Sequence, residues 1–498
     1  MSRKKHEMRI AIVHFHLQTG GVTRVIQHTC EALTDAGHEI LVLTGETPQQ
    51  PLGCNVKIAV LSGLGYEERR DGQTPDALAA AMLNSAREAF RTAPDLWHVH
   101  NHGLGKNLAL PGALLRLARN GQRLLLQPHD FAEDGRPALY RRLRNQLADG
   151  DIGRLSALLY PLAPQIHYAV LNARDLDFLT DAGIPDANIH LLANAVSLPG
   201  PKIEAAPTRT RSEAGADGQR LWLYPTRAIR RKNLGEFLLW SALGNEQDHF
   251  ATTQAPQNPQ EQAHYRRWVA LATELDLPVT FELGNKVDNF QDLMMSSHAL
   301  VTTSVGEGFG LAFLEPWLSG KPLAGRDLPE ITRDFRNAGI ALDNLYERLL
   351  VPLSWLDVGR LQADLSAALS TNARAYGRQL DADALTKAWQ SMLVNACIDM
   401  GRLNETAQEM VIRRLHSSPA ERAELTPTTL DATSSPEVIA TNDATIRTSY
   451  GLSSYGQRLE SIYTGIINAL PSAHFDHADG DLLLNRFLAP ERLTLLRT

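Results

Sequence analysis

The amino-acid sequence predicts an α/β fold with two parallel sheets and a helical C-terminal extension. Short apolar runs alternate with segments of helical periodicity from residue 8 onwards. The alternation starts again after a segment at 197–218 that is rich in proline, alanine and glycine. Beyond about residue 337 the strand signal fades and helical patterns dominate. Because ligands bind outside the carboxyl ends of parallel strands, we expect two domains that face each other across a cleft.

The first domain opens with a strand, a helix and a second strand. The apolar run 9–14 predicts a buried strand, and apolar residues at offsets 0, 3, 4 and 11 from Val22 form one face of the following helix. Gly37 is placed to end this helix, and 39–43 predicts the second strand. Such a unit indicates a parallel sheet. Further strands are predicted at 95–100, 123–127, 166–171 and 190–193.

The second domain repeats the pattern and is followed by a more helical region. Its strands are predicted at 221–224, 279–283 and 299–303, and its helices at 233–243, 288–296 and 311–318. The segment 426–449 contains ten Ser or Thr residues and predicts a loop, whereas apolar offsets from Tyr455 predict an amphipathic helix at 455–466. The predicted domains are 1–200 and 220–345, joined by a linker at 201–219 and followed by a helical extension at 346–498.

Composition limits the function classes. The 498 residues include 49 Lys and Arg against 56 Asp and Glu, and the resulting net charge of −7 argues against non-specific nucleic-acid binding. Cys30, Cys54 and Cys397 are too few and too scattered for a disulfide framework or a zinc site. The first apolar run is too short for a signal peptide, and no run reaches the length of a membrane span. We therefore expect a soluble, cytoplasmic protein.

The most informative motif is the turn after the predicted strand 299–303. Its glycines at 306, 308 and 310 allow a ligand to approach the backbone, and the helix start behind them suits an anionic diphosphate. Glu307 and Glu315 are placed to accept hydrogen bonds from sugar hydroxyls. Taken alone, the motif is equally compatible with a surface loop that carries two glutamates.

A second cluster follows the predicted strand 221–224. Arg227 and Lys232 can converge on one diphosphate, the first as a planar fork and the second as a point charge. Such cations stabilise an anionic leaving group where no metal does so. A solvated basic loop is the alternative interpretation of this cluster by itself.

Together the two motifs resemble those of glycosyltransferase family 4, whose members are retaining enzymes with the GT-B fold. The family's Glu-x7-Glu motif is matched by Glu307 and Glu315, and its Arg and Lys five residues apart by Arg227 and Lys232. Further matches are the glycine turn 19–22, the stretch Asn194-Ala-Val with alanine in place of the usual glycine, and Leu328-Pro-Glu-Ile. Pro316 is a departure, which predicts a kink or a later helix start.

The resemblance implies two Rossmann-like domains, with the final helix crossing back to the first, and a nucleotide-sugar donor bound mainly by the second. Arg227 and Lys232 would hold the diphosphate, and Glu315 the ribose. The implied catalytic residues are His129, Glu307, Arg227 and Lys232. The implied donor-binding residues are Gly20, Gly21, Arg227, Lys232, Glu307, Gly308, Phe309, Gly310 and Glu315. The implied reaction is a front-face substitution that retains the anomeric configuration and requires no cofactor, no metal and no carboxylate nucleophile.

The acceptor side is predicted from weaker signals. His100 lies at the end of a predicted strand, and Arg136 and Arg141 belong to an arginine-rich segment after His129. They favour a small-molecule or glycan acceptor that is soluble and anionic, while a solvated helix face or contact with an anionic membrane surface stays open. A metal site at His98, His100 and His102 is disfavoured, since no carboxylate or Cys stands at ligand spacing.

Other function classes fit parts of the pattern. A sugar-nucleotide-binding protein without turnover and a sugar-nucleotide epimerase stay open. A phosphorylase-like enzyme is disfavoured because we identify no pyridoxal-phosphate lysine motif. A glycosidase pair at Glu307 and Glu315 is disfavoured by the neighbouring phosphate-directed cations. An oxidoreductase is disfavoured because no Gly-x-Gly-x-x-Gly follows the first strand. The donor base and sugar, the acceptor and the oligomeric state are left undecided.

Overall fold

The computed structural model describes residues 7–53, 55–66, 73–197, 218–287 and 289–497. The chain divides into two compact units, which are called unit 1 and unit 2 below. Unit 1 comprises Met1–Ala195, Ala375–Gly377 and Ser449–Leu488, and unit 2 comprises Val196–Arg374, Arg378–Thr448 and Ala489–Thr498. Cys54 and all but the last residues of the predicted linker 201–219 lie outside the described residues.

Unit 1 contains a seven-stranded parallel sheet, as the alternating pattern predicts. In spatial order the strands are Lys57–Val60, Glu39–Thr44, Arg9–Val13, Leu96–His100, Leu124–Gln127, Ile166–Val170 and Ile189–Leu191. The chain order of the strands reverses on either side of Arg9–Val13. In such doubly wound sheets the ligand-binding crevice forms at this switch point, outside the carboxyl ends of the strands.

Helices cover both faces of this sheet. They are Gly21–Asp35, Pro75–Phe90, Ala109–Arg119, Pro137–Ala148, Ile152–Leu159, Ala173–Asp181, Leu452–Asn468 and Gly480–Phe487. The amphipathic helix predicted at 455–466 is present as Leu452–Asn468. It packs in unit 1 on Gly21–Asp35, where the Tyr455 hydroxyl lies 2.8 Å from Thr29 Oγ1. Gly37 follows the first helix with a φ of +85°, as its predicted role in ending that helix requires.

Unit 2 contains a six-stranded parallel sheet with the same switch. In spatial order the strands are Val279–Thr280, Asp248–Gln254, Arg220–Arg227, Ala299–Thr302, Leu323–Arg326 and Leu345–Tyr346. The strand Asp248–Gln254 escapes prediction because its residues are mostly polar, although nearly all are buried. The strand predicted at 279–283 is shorter, because the backbone turns at Glu282, which has a φ of +58°.

The helices of unit 2 are Leu234–Leu243, Pro259–Glu274, Phe290–Ser296, Glu315–Leu318, Pro329–Asn337, Val358–Ala375, Ala384–Met392, Glu405–Ser417 and Pro436–Ser449. The helix predicted at 311–318 is divided into a 3₁₀ turn, Leu311–Phe313, and a short helix that begins at Glu315. The break agrees with the later start that Pro316 predicts, because proline is tolerated in a first helical turn and not in an interior one.

The region 346–498 differs from the single helical extension that the sequence suggests. It contributes three short antiparallel strands to unit 2, Leu350–Pro352, Leu393–Val394 and Cys397–Asp399. Residues 449–488 then belong to unit 1, and residues 489–498 return to unit 2. The loop predicted at 426–449 was wrong in its second half, where Pro436–Ser449 is helical. None of the described helices is both long enough and apolar enough to cross a membrane.

A buried ion network joins this region to the second sheet. Arg326, at the end of its strand, donates to Glu236 at 2.5 and 2.9 Å and to Asp399 at 2.8 and 2.9 Å. The Tyr346 hydroxyl also donates to Glu236. Breaking one partner of such a buried network costs about 3–5 kcal/mol, because a charge would be left buried without compensation.

Candidate active site

The two motifs of unit 2 meet at the switch point of its sheet. The strands Arg220–Arg227 and Ala299–Thr302 are neighbours, and the loops that follow them leave from the same edge. The loops are joined by hydrogen bonds. Thr303 Oγ1 donates to the carbonyls of Lys232 and Asn233, both at 3.0 Å, and Val305 N donates to the carbonyl of Arg231 at 2.9 Å. These hydrogen bonds bring the two motifs into direct contact, although they are far apart in the sequence.

Glu307 is the carboxylate at the centre of this junction. Lys232 Nζ bonds one of its oxygens, and Arg231 Nη1 lies 3.1 Å from the other. Burial acts to raise the pKa of Glu307, but the charges of Lys232 and Arg231 outweigh it and hold this pKa below its ordinary value. Burial also lowers the pKa of Lys232, against the attraction of the same carboxylate. The result is an ionised glutamate that is neutralised by cations at the carboxyl edge of the sheet.

The predicted cation pair is arranged differently from the expectation. Lys232 is directed to Glu307, whereas Arg227 is exposed at the end of its strand. Within the described parts of the chain, no hydrogen bond or ion pair engages the Arg227 guanidinium. The second cation on Glu307 is Arg231, which the sequence reasoning did not single out. The signal for it was its position beside Lys232 in a basic run at a strand end.

The turn that carries the glycines at 306, 308 and 310 needs glycine for its backbone conformation and packing at residue 310. Gly310 has a φ of +95°, and a Cβ there would lie 2.8 Å from Ile331 Cγ2. Phe309 is buried edge-to-face on Phe335, with ring centroids 5.7 Å apart. Gly308 is exposed, and Glu315 is partly exposed at the start of its short helix. These contacts hold the backbone of the turn in one conformation.

In unit 1, His129 lies at the corresponding edge of the first sheet. Its Nε2 is 2.8 Å from Nδ1 of His100, and the two rings are stacked with centroids 5.1 Å apart. The Oδ1 of Asn101 accepts hydrogen bonds from the backbone N–H groups of His129 at 2.7 Å and Asp130 at 3.1 Å. Asn101 itself has a φ of +56°, a conformation that asparagine adopts more readily than most residues. These contacts orient the His129 ring.

The histidines at this edge are neutral at physiological pH. Burial lowers the pKa of His14 and of His129 to about 3, and that of His98 to about 4. His98 bonds Gln127 Oε1 at 2.9 Å and the Tyr463 hydroxyl at 2.7 Å. Among the described residues, no group of three or more His, Cys, Asp or Glu side chains is arranged to hold a metal ion.

The remaining residues of the predicted set differ in exposure. Gly20 and Gly21 are exposed at the start of Gly21–Asp35, a helix whose first turn has no side-chain cap. His100, predicted on the acceptor side, is fully buried, so its contact is with His129. Arg136 is ion-paired with Asp130 at 2.5 Å. Arg141 is exposed on the helix Pro137–Ala148.

Comparison with known proteins shows that the chain is similar to glycosyltransferases. Residues 20–195 match the glycosyl transferase 4-like domain. The chain therefore contains a glycosyl transferase 4-like domain. It is 27% identical over 373 residues to mannosylglucosyl-3-phosphoglycerate synthase of Petrotoga mobilis, an alignment that covers 70% of each chain.

Solved structures show that this glycosyltransferase has the GT-B fold. A glycosyltransferase from Rickettsia africae is similar with a TM-score of 0.55 and 11% identity, over 93% of this chain and 99% of that one. The Anabaena protein HepE, solved in complex with UDP-glucose, is similar with a TM-score of 0.51 and 12% identity, over 92% of this chain and 100% of that one. The predicted architecture of two parallel-sheet domains is confirmed.

Proposed function

We propose that this glycosyltransferase moves a hexose from a nucleoside diphosphate sugar to a small anionic acceptor, with retention of the anomeric configuration. The observation that carries the donor assignment is the cluster of Lys232, Arg231 and Glu307 at the switch point of the unit 2 sheet. Cations placed there stabilise the negative charge that develops on a departing diphosphate. A nucleoside diphosphate is therefore the leaving group that this cluster suits.

Within this proposal, the residues of the two loops have separate tasks. Arg227, Arg231 and Lys232 bind the diphosphate, and Glu307 accepts hydrogen bonds from hydroxyls of the hexose. The backbone around Phe309 and Gly310 also holds the hexose, and Glu315 binds the ribose. Because Glu307 is held by two cations, it is a poor nucleophile. This agrees with a front-face substitution in which the leaving phosphate accepts the acceptor's proton.

His129 acts in this proposal as a neutral hydrogen-bonding group for the donor sugar. Its low pKa, caused by burial, keeps the ring uncharged at the pH of a cell. One ring nitrogen is engaged by His100, so the tautomer of His129 is coupled to that of His100. A fixed tautomer presents either a donor or an acceptor to a hydroxyl, and this selects the orientation of the sugar.

For the acceptor, we propose a molecule that carries a phosphate or a carboxylate. The name of the Petrotoga mobilis relative specifies a phosphoglycerate product, and phosphoglycerate is anionic. In this chain, Arg136 and Arg141 supply positive charge on the segment that follows His129. Arg141 is the more available of the two, because Arg136 is paired with Asp130.

Thermal unfolding in the presence of UDP, GDP and ADP, and then of their glucose and mannose derivatives, tests the donor assignment. A ligand that binds only the native state at 100 times its Kd raises the unfolding free energy by about 2.7 kcal/mol. We expect one nucleoside diphosphate to raise the Tm of the wild-type protein and to have little effect on Lys232→Ala.

Turnover is then measured with the selected donor and 3-phosphoglycerate in the presence of EDTA, and the anomeric configuration of the product is read by NMR. We expect a glycoside with the configuration of the donor. An inverted product would contradict the retaining mechanism. Binding of a sugar nucleotide without transfer or hydrolysis, over a range of anionic acceptors, would favour a binding protein. Conversion of the donor to an epimer would favour an epimerase.

A further inference from the structure

Segment 489–497 is anchored on unit 2 by specific contacts. Arg402 Nη1 donates to the carbonyl of Leu493 at 2.6 Å, and Arg230 Nη2 donates to the carbonyl of Leu495 at 3.1 Å. The side chain of Leu495 is buried in the core of unit 2. The segment is thus held against the loop that precedes Lys232.

This anchoring places Arg497 on the glycine turn of the donor site. A Cβ built on Gly306 would lie 3.6 Å from the Cδ, Nε and Cζ atoms of Arg497. The guanidinium therefore lies beside the space that a side chain at residue 306 would occupy. Gly306 directly precedes Glu307, and its carbonyl accepts a hydrogen bond from Arg231. Arg497 is a further cation beside the cluster of Arg231 and Lys232.

One carboxylate, Glu307, faces Lys232 and Arg231 directly, and Arg497 adds a third cation at the neighbouring residue. A nucleoside diphosphate carries more than one negative charge, so several cations can bind it at the same time. Arg also offers a planar fork of donors that matches two phosphate oxygens, which a lysine does not.

We propose that Arg497 is a donor-binding residue whose guanidinium contacts the diphosphate of the nucleoside diphosphate sugar. The proposal rests on the proposed function, since it assigns a further residue to the same donor site. It adds a contribution from segment 489–497, which lies far in sequence from both motifs. That segment positions a phosphate-binding side chain beside the turn 304–310.

The test uses the full-length protein and the variants Arg497→Gln and Arg497→Lys, with UDP and UMP as probes in titration calorimetry. We expect Arg497→Gln to weaken UDP binding about tenfold, which corresponds to about 1.4 kcal/mol, and to weaken UMP binding much less. Arg497→Lys keeps the charge without the fork and is expected to lie between Arg497→Gln and the wild type. If UDP does not bind, the diphosphate selected by thermal unfolding and its monophosphate replace this pair.

A charge-matched control is Arg447→Gln, on the exposed face of the helix Pro436–Ser449, where Arg447 pairs with Asp443. It is expected to keep wild-type affinity, and Tm values show whether each variant is folded. The proposal is overturned if Arg497→Gln keeps the wild-type ratio of UDP affinity to UMP affinity, whether both affinities are unchanged or both fall equally. If Lys232→Ala loses UDP binding in the same series, that failure concerns Arg497 alone. If the wild-type protein binds none of the nucleoside diphosphates, the proposed function fails with it.

Discussion

Glu307 shows how a single side chain combines structural and chemical demands. It is largely buried, and the charges of Lys232 and Arg231, together with hydrogen bonds from Lys232 and Ser304, hold its pKa below the ordinary value against the effect of burial. Removing the carboxylate would leave both cations without their common partner and would take away the hydrogen-bond acceptor that we propose for the hydroxyls of the hexose. Removing His129 would instead take away a neutral group and leave the charges of unit 2 unchanged.

We expect Glu307→Ala, Lys232→Ala and His129→Ala each to lower kcat by about 100-fold, the loss typical of removing an electrostatic contact to a transition state. Steady-state kinetics with saturating donor checks this, and circular dichroism confirms folding. Glu437→Ala, which removes an exposed carboxylate from another helix of unit 2, is the control. Near-wild-type rates in all three folded variants would contradict the assignment of the site.

Asn101 is a second residue whose role can be separated into two parts. Its side chain bonds the backbone of His129 and Asp130, and its own backbone is in the left-handed region. Asn101→Gly keeps the backbone conformation and removes the side-chain acceptor, whereas Asn101→Ala removes the acceptor and adds strain.

We expect both Asn101 variants to lower kcat about tenfold, because His129 loses its orientation. Asn101→Ala should also have the lower Tm of the two. Kinetics and differential scanning calorimetry measure these effects. If Asn101→Gly keeps the wild-type kcat and only the less stable Asn101→Ala loses activity, the hydrogen bonds of Asn101 do not position His129.

At the scale of elements, the helix Leu452–Asn468 connects distant sequence to the histidines of the first sheet. Tyr463 is buried on the same helix face as Tyr455, and its hydroxyl bonds His98 Nδ1 at 2.7 Å. His98 in turn bonds Gln127, on the strand that leads to His129. The helix therefore completes the hydrogen bonding beneath the predicted catalytic histidine.

We expect Tyr463→Phe to lower the free energy of unfolding of unit 1 by about 1–3 kcal/mol, because a buried His98 nitrogen loses its partner. Hydrogen exchange of the strand Leu96–His100 measures this effect locally. Ser461→Ala, exposed on the same helix, is the matched control. Unchanged exchange in Tyr463→Phe would show that the hydroxyl contributes nothing to this strand.

At the scale of the molecule, the two units differ in their buried histidines. In unit 1, burial lowers the pKa of His14 and His129 to about 3 and that of His98 to about 4. The folded state therefore resists protonation that the unfolded chain accepts near pH 6.5. The stability from these groups is present above pH 6.5 and is lost as pH falls toward the folded pKa values. Glu133, whose pKa burial raises to about 7, acts in the opposite direction.

We expect unit 1 to lose stability before unit 2 as pH falls from 6.5 to 4.5. Each of the three histidines contributes a loss of about 2 kcal/mol by pH 5. Hydrogen exchange, corrected for the intrinsic effect of pH, compares the strand Leu96–His100 with Arg220–Arg227. Protection lost equally in both strands over this range would contradict the prediction.

The periodicity of the chain and two short motifs were sufficient to predict much of this protein. Apolar runs predicted the strands at the centre of both sheets, since buried parallel strands need continuous apolar residues. They missed Asp248–Gln254, whose polar side chains are buried only because neighbouring strands and helices enclose them. Lys57–Val60, a strand of four residues at the edge of the first sheet, was also missed, although three of its residues are apolar.

The amino-acid sequence by itself determined the α/β class, the glycosyltransferase motifs and the local conformations that glycine and proline require. These depend on residues that are close along the chain. Only the tertiary structure decided that Arg231 and not Arg227 pairs with Glu307, that His100 is buried on His129, and that the Arg497 side chain lies close to Gly306. Such contacts join residues far apart in sequence, and their formation depends on how the loops at a sheet edge fold together.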